Sequence, residues 1–213
     1  MELLKNLQAQ NTRDELEEID NAVNAEAEKL ASRHPKIAKD DPQRLDEMAQ
    51  KIVNIEKRKQ EASATLDAIG EINAIDDLKE VLKAEGELWR ANHTKLNEKT
   101  GAISIKPMAP RDIADILQKH IKFIVIGKDE KSLERSQLYF YNVQTGIYSP
   151  SQRLIEKLSL SIDNTTRDIV RRDMLKLLRL EAEEKELLTS YDLVPVNNGI
   201  YSKKEKKTVA VQF

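Results

Sequence analysis

The chain has 213 residues, of which 34% are charged, 39% hydrophobic and only 4% aromatic. This length allows one or two domains with a buried core, and the composition favours a helix-rich protein with much solvated surface. The absence of cysteine excludes disulfides, thiol catalysis and Cys-ligated zinc. No apolar run approaches the roughly 18 residues that span a bilayer. The N-terminus lacks the pattern of a secretory signal, so we expect a cytoplasmic protein without a membrane partner.

The formal net charge of −2 conceals a difference between the two halves. Residues 1–100 carry 16 basic and 22 acidic side chains, whereas residues 101–213 carry 19 basic and 15 acidic ones. The mildly basic C-terminal half is compatible with contact to nucleic acid, but its excess of positive charge is far from that of a dedicated cationic surface.

The first hundred residues predict long helices. Apolar residues recur at spacings of three and four along the first of them, at Leu16, Ile19, Val23, Ala27 and Leu30. His34-Pro35 ends this helix, because the residue before a proline disfavours the helical conformation. A second helix begins near Asp41 with Pro42 at its first position, and a third contains Ile72 to Trp89. Short connections favour antiparallel packing, so residues 1–100 predict an antiparallel helical hairpin or bundle.

The second helix carries a heptad of apolar residues that is open to two interpretations. Its members are Leu45, Met48, Ile52, Ile55, Ala62, Leu66 and Ile69, and Lys59 interrupts the register. The heptad forms either a seam inside one chain or a dimerising coiled coil. In the second case, Leu45, Met48, Ile52, Ile55, Leu66 and Ile69 form the oligomerisation surface of a homo-oligomer. Lys59 limits a long dry seam, which favours the intramolecular interpretation.

Residues 104–213 predict a small mixed domain of helices and β-hairpins. The expected elements are a linker or short strand at Ala102–Ile105, a helix at Arg111–His120, a strand at Phe123–Gly127, a charged loop at Lys128–Ser136 and a hairpin formed by Leu138–Val143 and Ile147-Tyr148. Gln144-Thr145-Gly146 supplies the turn of that hairpin.

Two further helices and a strand pair complete the prediction. Ser149 caps the first helix ahead of Pro150, and Asn164 or Thr165 caps the second, which runs into Glu184. The final tract returns to strand, turn and strand, with apolar runs at Leu193–Val196 and Thr208–Phe213. The predicted fold class is therefore α+β and mostly α. The element order is compatible with a winged-helix-like unit, which can bind either DNA or protein.

No catalytic constellation is visible. The chain has no GxxxxGK[ST] phosphate loop, and His34, His93 and His120 lack metal-ligand spacing. Solvated helix faces account for acidic pairs such as Asp76-Asp77 and Glu183-Glu184. We therefore expect a chain that is not itself an enzyme and that uses no cofactor and no metal. An enzyme whose site residues converge only in space remains an open alternative.

Two basic clusters are candidate DNA contacts. They are Arg167, Arg171, Arg172, Lys176 and Arg179 on one predicted helix, and Lys203, Lys204, Lys206 and Lys207 in the terminal turn. Residues four apart on a helix are neighbours, so Arg167 and Arg171 can meet phosphates together. The alternative for the first cluster is a solvated helix whose arginines pair with nearby carboxylates. The alternative for the second is a set of lysines that protects a sheet edge.

Two motifs carry a resemblance to a known family. Residues 138–149 read LYFYNVQTGIYS and residues 193–204 read LVPVNNGIYSKK. In this order, they resemble the region just ahead of the motor in phage- and virus-type primase–helicases, whose C-terminal motor is a superfamily 3 hexameric helicase. The matching residues are Tyr139, Tyr141, Gly146 and Tyr148 in the first motif, and Val196, Asn198, Gly199, Ile200 and Lys203 in the second. The resemblance covers residues 104–213, and the N-terminal hundred residues lie outside it.

The resemblance implies a role in replicating phage or mobile-element DNA inside a bacterial cell. It implies DNA, replication proteins and a helicase motor as partners, with the motor either after Phe213 or on a separate chain. The accessory region would position the motor on DNA, aid ring assembly or recruit a partner. It does not transfer ATPase, helicase or priming chemistry to these residues. The alternative is a protein-interaction or oligomerisation module that acts through the heptad helices without binding DNA.

Overall fold

The computed structural model describes residues 2–97, 99–126, 136–185, 193–196, 199–202, 204 and 207–209, with side chains described within residues 14–185 and at Lys204. The helices are α1 (Glu2–Arg33), α2 (Pro35–Asp40), α3 (Pro42–Ala68), α4 (Ile75–His93), α5 (Pro110–His120), α6 (Gln152–Ile162) and α7 (Asp168–Glu181). The strands are β1 (Thr94–Asn97), β2 (Ala102–Ile105), β3 (Phe123–Ile126), β4 (Gln137–Asn142), β5 (Ile147–Ser149), β6 (Glu183–Lys185), β7 (Leu193–Val196), β8 (Gly199–Ser202) and β9 (Lys207–Val209). The fold is α+β and mostly helical, as predicted. Among the described helices, none combines the length and the apolar character that crossing a bilayer requires.

The prolines mark the predicted end of α1 and the predicted start of α3, and the short helix α2 between them was not predicted. α1 ends at Arg33 and α2 begins at Pro35. Asp41 caps α3, and its carboxylate accepts a hydrogen bond from the backbone N–H of Arg44 at 3.2 Å. Leu30 near the end of α1 packs with Leu45 and Met48 near the start of α3. The two helices therefore run antiparallel around a small apolar cluster of their own.

The helix α4 belongs to both parts of the molecule. One side of α4 packs against α3. Its Leu78 and Leu82 are buried in the main core. Other large core side chains include Ile113, Leu117, Phe123, Val125, Leu138, Phe140, Ile155, Leu158, Ile162, Met174, Leu175 and Leu178, from α5, β3, β4, α6 and α7. The last helix of the predicted N-terminal bundle is thus part of the core of the mixed domain.

A hairpin follows α4. Its second strand, β2, lies where the sequence predicted a linker or short strand, whereas its first strand, β1, was not predicted. Strand β1 pairs antiparallel with β2, with Leu96 opposite Ile103. Its tip lies on α3: Gly101, at φ +67°, is buried beside Met48, and Lys51 Nζ donates to the Gly101 carbonyl at 2.8 Å. The predicted division into residues 1–100 and 104–213 remains a prediction. The structure shows that its boundary falls inside this hairpin.

The central sheet has the strand order β5-β4-β3-β6. The pairs Phe123–Phe140 and Val125–Leu138 place four apolar side chains on the core face. Strand β6 pairs parallel with β3, with Glu183 opposite Ile124. The prediction that the last helix continues to Glu184 is therefore wrong. α7 ends at Glu181 because Ala182 turns to an extended conformation and the next three residues join the sheet.

The tyrosine-rich hairpin forms as predicted, but the two helix caps after it do not. β4 and β5 pair around a turn in which Gly146 has φ +68°. Ser149 lies in β5, and Ser151 caps α6 by accepting from the Leu154 N–H at 3.3 Å. Neither Asn164 nor Thr165 caps α7, since Arg167 occupies that position without a side-chain cap.

The terminal tract forms a third sheet in the order β7-β8-β9. The sequence predicted two strands, and β8 is an additional strand between them. Asn197, Asn198 and residues 210–213 lie outside the described residues, as does the charged loop apart from Ser136. The winged-helix-like unit stays a prediction. In the structure, the β4–β5 hairpin precedes the helix pair α6–α7 rather than following it.

Candidate nucleic-acid interface

α7 has one buried face and one exposed face. Met174, Leu175 and Leu178 are buried in the main core. The exposed side chains at helical spacing are Ile169, Arg172, Asp173, Lys176 and Leu180. Ile169 is 59% exposed and Leu180 is 58% exposed. The outer face of α7 is therefore a stripe with two cations and one carboxylate in its middle and a large apolar side chain near each end.

Arg171 contributes to the structure at the start of α7. Its Nη1 donates to the Thr166 carbonyl at 3.0 Å, and its Nη2 forms an ion pair with Asp168. Only 24% of its side chain is exposed. Arg171 therefore stabilises the turn that joins α6 to α7, which matches the alternative of local carboxylate pairing.

Arg179 ties α7 to two other elements. Its Nε donates to the Ser136 carbonyl at 3.1 Å, and its Nη2 donates to Gln152 Oε1 at 2.9 Å. Ser136 precedes β4 and Gln152 begins α6. The guanidinium group is thus used to hold the last turn of α7 in place, which leaves it little capacity for a phosphate.

Three of the predicted cations remain on the outside of this part of the fold. Arg167 is exposed just before α7, and Arg172 and Lys176 are exposed one turn apart on it. Lys204 of the second predicted cluster is also exposed. Lys207 begins β9, and Lys203 and Lys206 lie outside the described residues. Among the described contacts, none brings the two predicted clusters together.

The predicted oligomerisation residues make contacts within one chain. Leu45 and Met48 are buried, and Ile52 packs against their cluster. Ile55, Leu66 and Ile69 are half-buried. The described contacts of Leu45, Met48 and Ile52 are those of an intramolecular seam between α1 and α3. A coiled-coil dimer stays a prediction.

A buried ionic cluster joins α4 to α5, and sequence reasoning missed it. Glu85 is 8% exposed. One of its carboxylate oxygens accepts from His120 Nε2 at 3.0 Å and from Lys119 Nζ. Burial raises the pKa of Glu85, but the hydrogen bonds and positive charge of Lys119 and His120 outweigh it and hold the pKa below its usual 4.5. The signal was present in the sequence, since Glu85 occupies an inward position between Leu82 and Trp89.

This cluster fixes the packing of two helices and has the character of a structural ion pair. Among the described residues, no group of three or more His, Asp or Glu side chains is placed to hold a metal ion. No protein-family model matches the chain, and no curated protein sequence matches it.

Proposed function

We propose that this chain is a non-catalytic accessory region of a phage or mobile-element replicative DNA helicase of the primase–helicase type. It acts in the cytoplasm of the bacterial host and contacts DNA phosphates through the outer face of α7. The observation that carries the proposal is the exposure of Arg172 and Lys176 one turn apart on the outer face of α7, whose inner face is buried in the core. Arg167 is exposed just before the first residue of this helix. By this contact, the region helps to position the motor on DNA.

The physical basis of the contact is counterion release. Each lysine or arginine that neutralises a phosphate displaces a condensed cation, and this gain does not depend on base sequence. Three exposed cations support only weak, non-specific binding, with a dissociation constant on the order of 10⁻⁵ M near physiological salt. Such an affinity suits an accessory region, because linkage to a motor on the same DNA raises the effective concentration of the weak contact.

The position of the two motifs supports the assignment to a replicative helicase. The first motif forms the β4–β5 hairpin, and the second forms β7 and β8. Helices α6 and α7 lie between them in the chain. The resemblance implies two helices at this place in the family. The cationic stripe therefore lies inside the segment that carries the resemblance.

The direct test is DNA binding by a double variant and a charge-matched control. In Arg172→Ala/Lys176→Ala, the stripe loses its two cations. In Lys36→Ala/Lys39→Ala, two exposed lysines are removed from α2 instead. Fluorescence anisotropy measures the affinity of each variant at low salt for a labelled DNA single strand of about 20 nucleotides and for the corresponding duplex.

We expect the α7 variant to lose about tenfold in affinity or more for both DNA forms, and the α2 variant to lose far less. Equal losses in the two variants would show that only net charge matters. No loss in the α7 variant would exclude α7 as the DNA contact and, with it, the observation that carries the proposal.

A further inference from the structure

A groove runs between α1 and α3 on the face that they present to solvent. Its volume is about 680 Å³. Half-buried Ile19, Ile52 and Val53 form its apolar floor together with Ala22 and Ala25. It extends along α1 from Glu15 to Lys29, which corresponds to about 20 Å at the rise of an α-helix. The groove is thus long enough to accommodate roughly four turns of another helix.

The rims of the groove are acidic. Glutamates line it at positions 15, 18, 26, 56 and 61, against two lysines. Those lysines are already paired within the chain, Lys29 with Glu26 and Lys57 with Glu61. Among the described residues, Glu15, Glu18 and Glu56 have no ion-pair partner. The unbalanced charge along both rims is therefore negative.

The helices of the chain itself do not cover this groove within the described residues. α4 contacts a different side of α3, where Arg58, Ala62 and Thr65 border it. The expected bundle is thus arranged with α3 between α1 and α4, and the apolar floor of the α1–α3 groove faces outward. In a bundle of three mutually packed helices, this is where a further helix would lie.

We infer that the α1–α3 groove docks a cationic amphipathic helix of a partner protein. Apolar side chains at helical spacing would pack on Ile19, Ile52 and Val53, and lysines or arginines on both flanks would meet Glu15, Glu18 and Glu56. Charge complementarity selects this occupant, because an acidic or neutral helix would leave the rim carboxylates unpaired or repelled. The inference is independent of the DNA contact, since it involves other helices and the opposite charge.

The test uses the full chain and a synthetic helical peptide of about 15 residues. The peptide has leucines at helical spacing and lysines on both flanks, and a second peptide carries glutamates in place of the lysines. Fluorescence anisotropy of labelled peptide measures binding. Ala22→Trp fills the groove without changing charge, and Asn24→Trp places the same side chain on exposed α1 surface outside the groove lining. Glu18→Lys reverses a rim charge, and Glu17→Lys reverses an exposed neighbour outside the lining.

We expect the lysine peptide to bind and the glutamate peptide not to bind. Ala22→Trp and Glu18→Lys should each weaken binding by about tenfold, whereas Asn24→Trp and Glu17→Lys should leave it nearly unchanged. Thermal melts establish that each variant is folded. Equal effects within either matched pair, or no binding of the lysine peptide, would overturn the inference. A dimer in sedimentation that Ala22→Trp dissociates would also overturn it, because the occupant would then be a second copy of this chain.

Discussion

The backbone of Gly86 in α4 lies directly against the carbonyl group of Ile162, the last residue of α6. A Cβ atom on residue 86 would lie 2.1 Å from the Ile162 oxygen. One turn further along α4, Arg90 Nη2 donates to the same oxygen at 2.6 Å. These two contacts fix α4 on α6 and thereby join the helical N-terminal region to the main core.

Gly86→Ala should destabilise the protein by about 1–3 kcal/mol or more, because backbone on both sides must shift to accept one methyl group. Gly70→Ala is the matched control, since nothing lies within 4 Å of a Cβ at that position. Urea unfolding followed by circular dichroism measures both. Equal midpoints for the two variants would show that the close approach of α4 to α6 does not exist in solution.

Glu85→Gln should destabilise the protein at pH 7 by about 1–3 kcal/mol, because it weakens the buried contacts to Lys119 and His120. The pKa of Glu85 is lower in the folded state than its usual 4.5, so the charged carboxylate stabilises the fold above that pH. This contribution is lost as the pH falls through the lower folded-state pKa.

The melting temperatures of wild type and Glu85→Gln should therefore differ at neutral pH and converge in acid, once the pH falls below the lowered pKa of the Glu85 carboxyl. Glu80→Gln, an exposed change on the same helix, is the control and should match wild type throughout. A gap between wild type and Glu85→Gln that stays constant from pH 7 to acid would contradict the assigned role of the carboxylate.

A fragment of residues 104–213 should be far less stable than one of residues 71–213. The shorter fragment lacks α4, whose Leu78 and Leu82 are buried in the main core, and burial of one leucine contributes about 1.5–3 kcal/mol. Thermal melts of the two fragments measure the difference. If residues 104–213 alone unfold as cooperatively and at the same temperature, α4 does not belong to that core.

Local signals in the sequence predicted the elements that depend on local chemistry. Pro35 and Pro42 set the helix boundaries in the N-terminal region, and Gly146 marks the turn of the β4–β5 hairpin. Apolar periodicity along the first helix identified Val23, Ala27 and Leu30, which pack in the cluster between α1 and α3. These features follow from backbone sterics and side-chain period, which a single sequence displays.

Elements that depend on distant partners could not be predicted in this way. Glu183–Lys185 is charged and reads as the end of a helix, yet it forms β6 because β3 supplies hydrogen-bond partners some sixty residues away along the chain. Thr94–Asn97 was missed although its partner β2 follows it directly in a hairpin.

The cations of α7 likewise could not be sorted from the sequence alone. Sequence reasoning grouped five cations on α7, but only contacts in space reveal that Arg171 and Arg179 are engaged with Thr166, Asp168, Ser136 and Gln152. The α1–α3 groove likewise depends on which side of α3 receives α4, and helical periodicity alone does not determine that.

The salt dependence of DNA binding tests the central claim most directly, because its slope reports how many phosphates the protein neutralises. On duplex DNA, each contact contributes about 0.9 to the slope of log affinity against log salt concentration. We predict that Arg172→Ala/Lys176→Ala lowers the magnitude of this slope by about 1.8 relative to wild type, and that Lys36→Ala/Lys39→Ala leaves it unchanged. A wild-type slope near zero, or an α7 variant with the wild-type slope, would contradict the account.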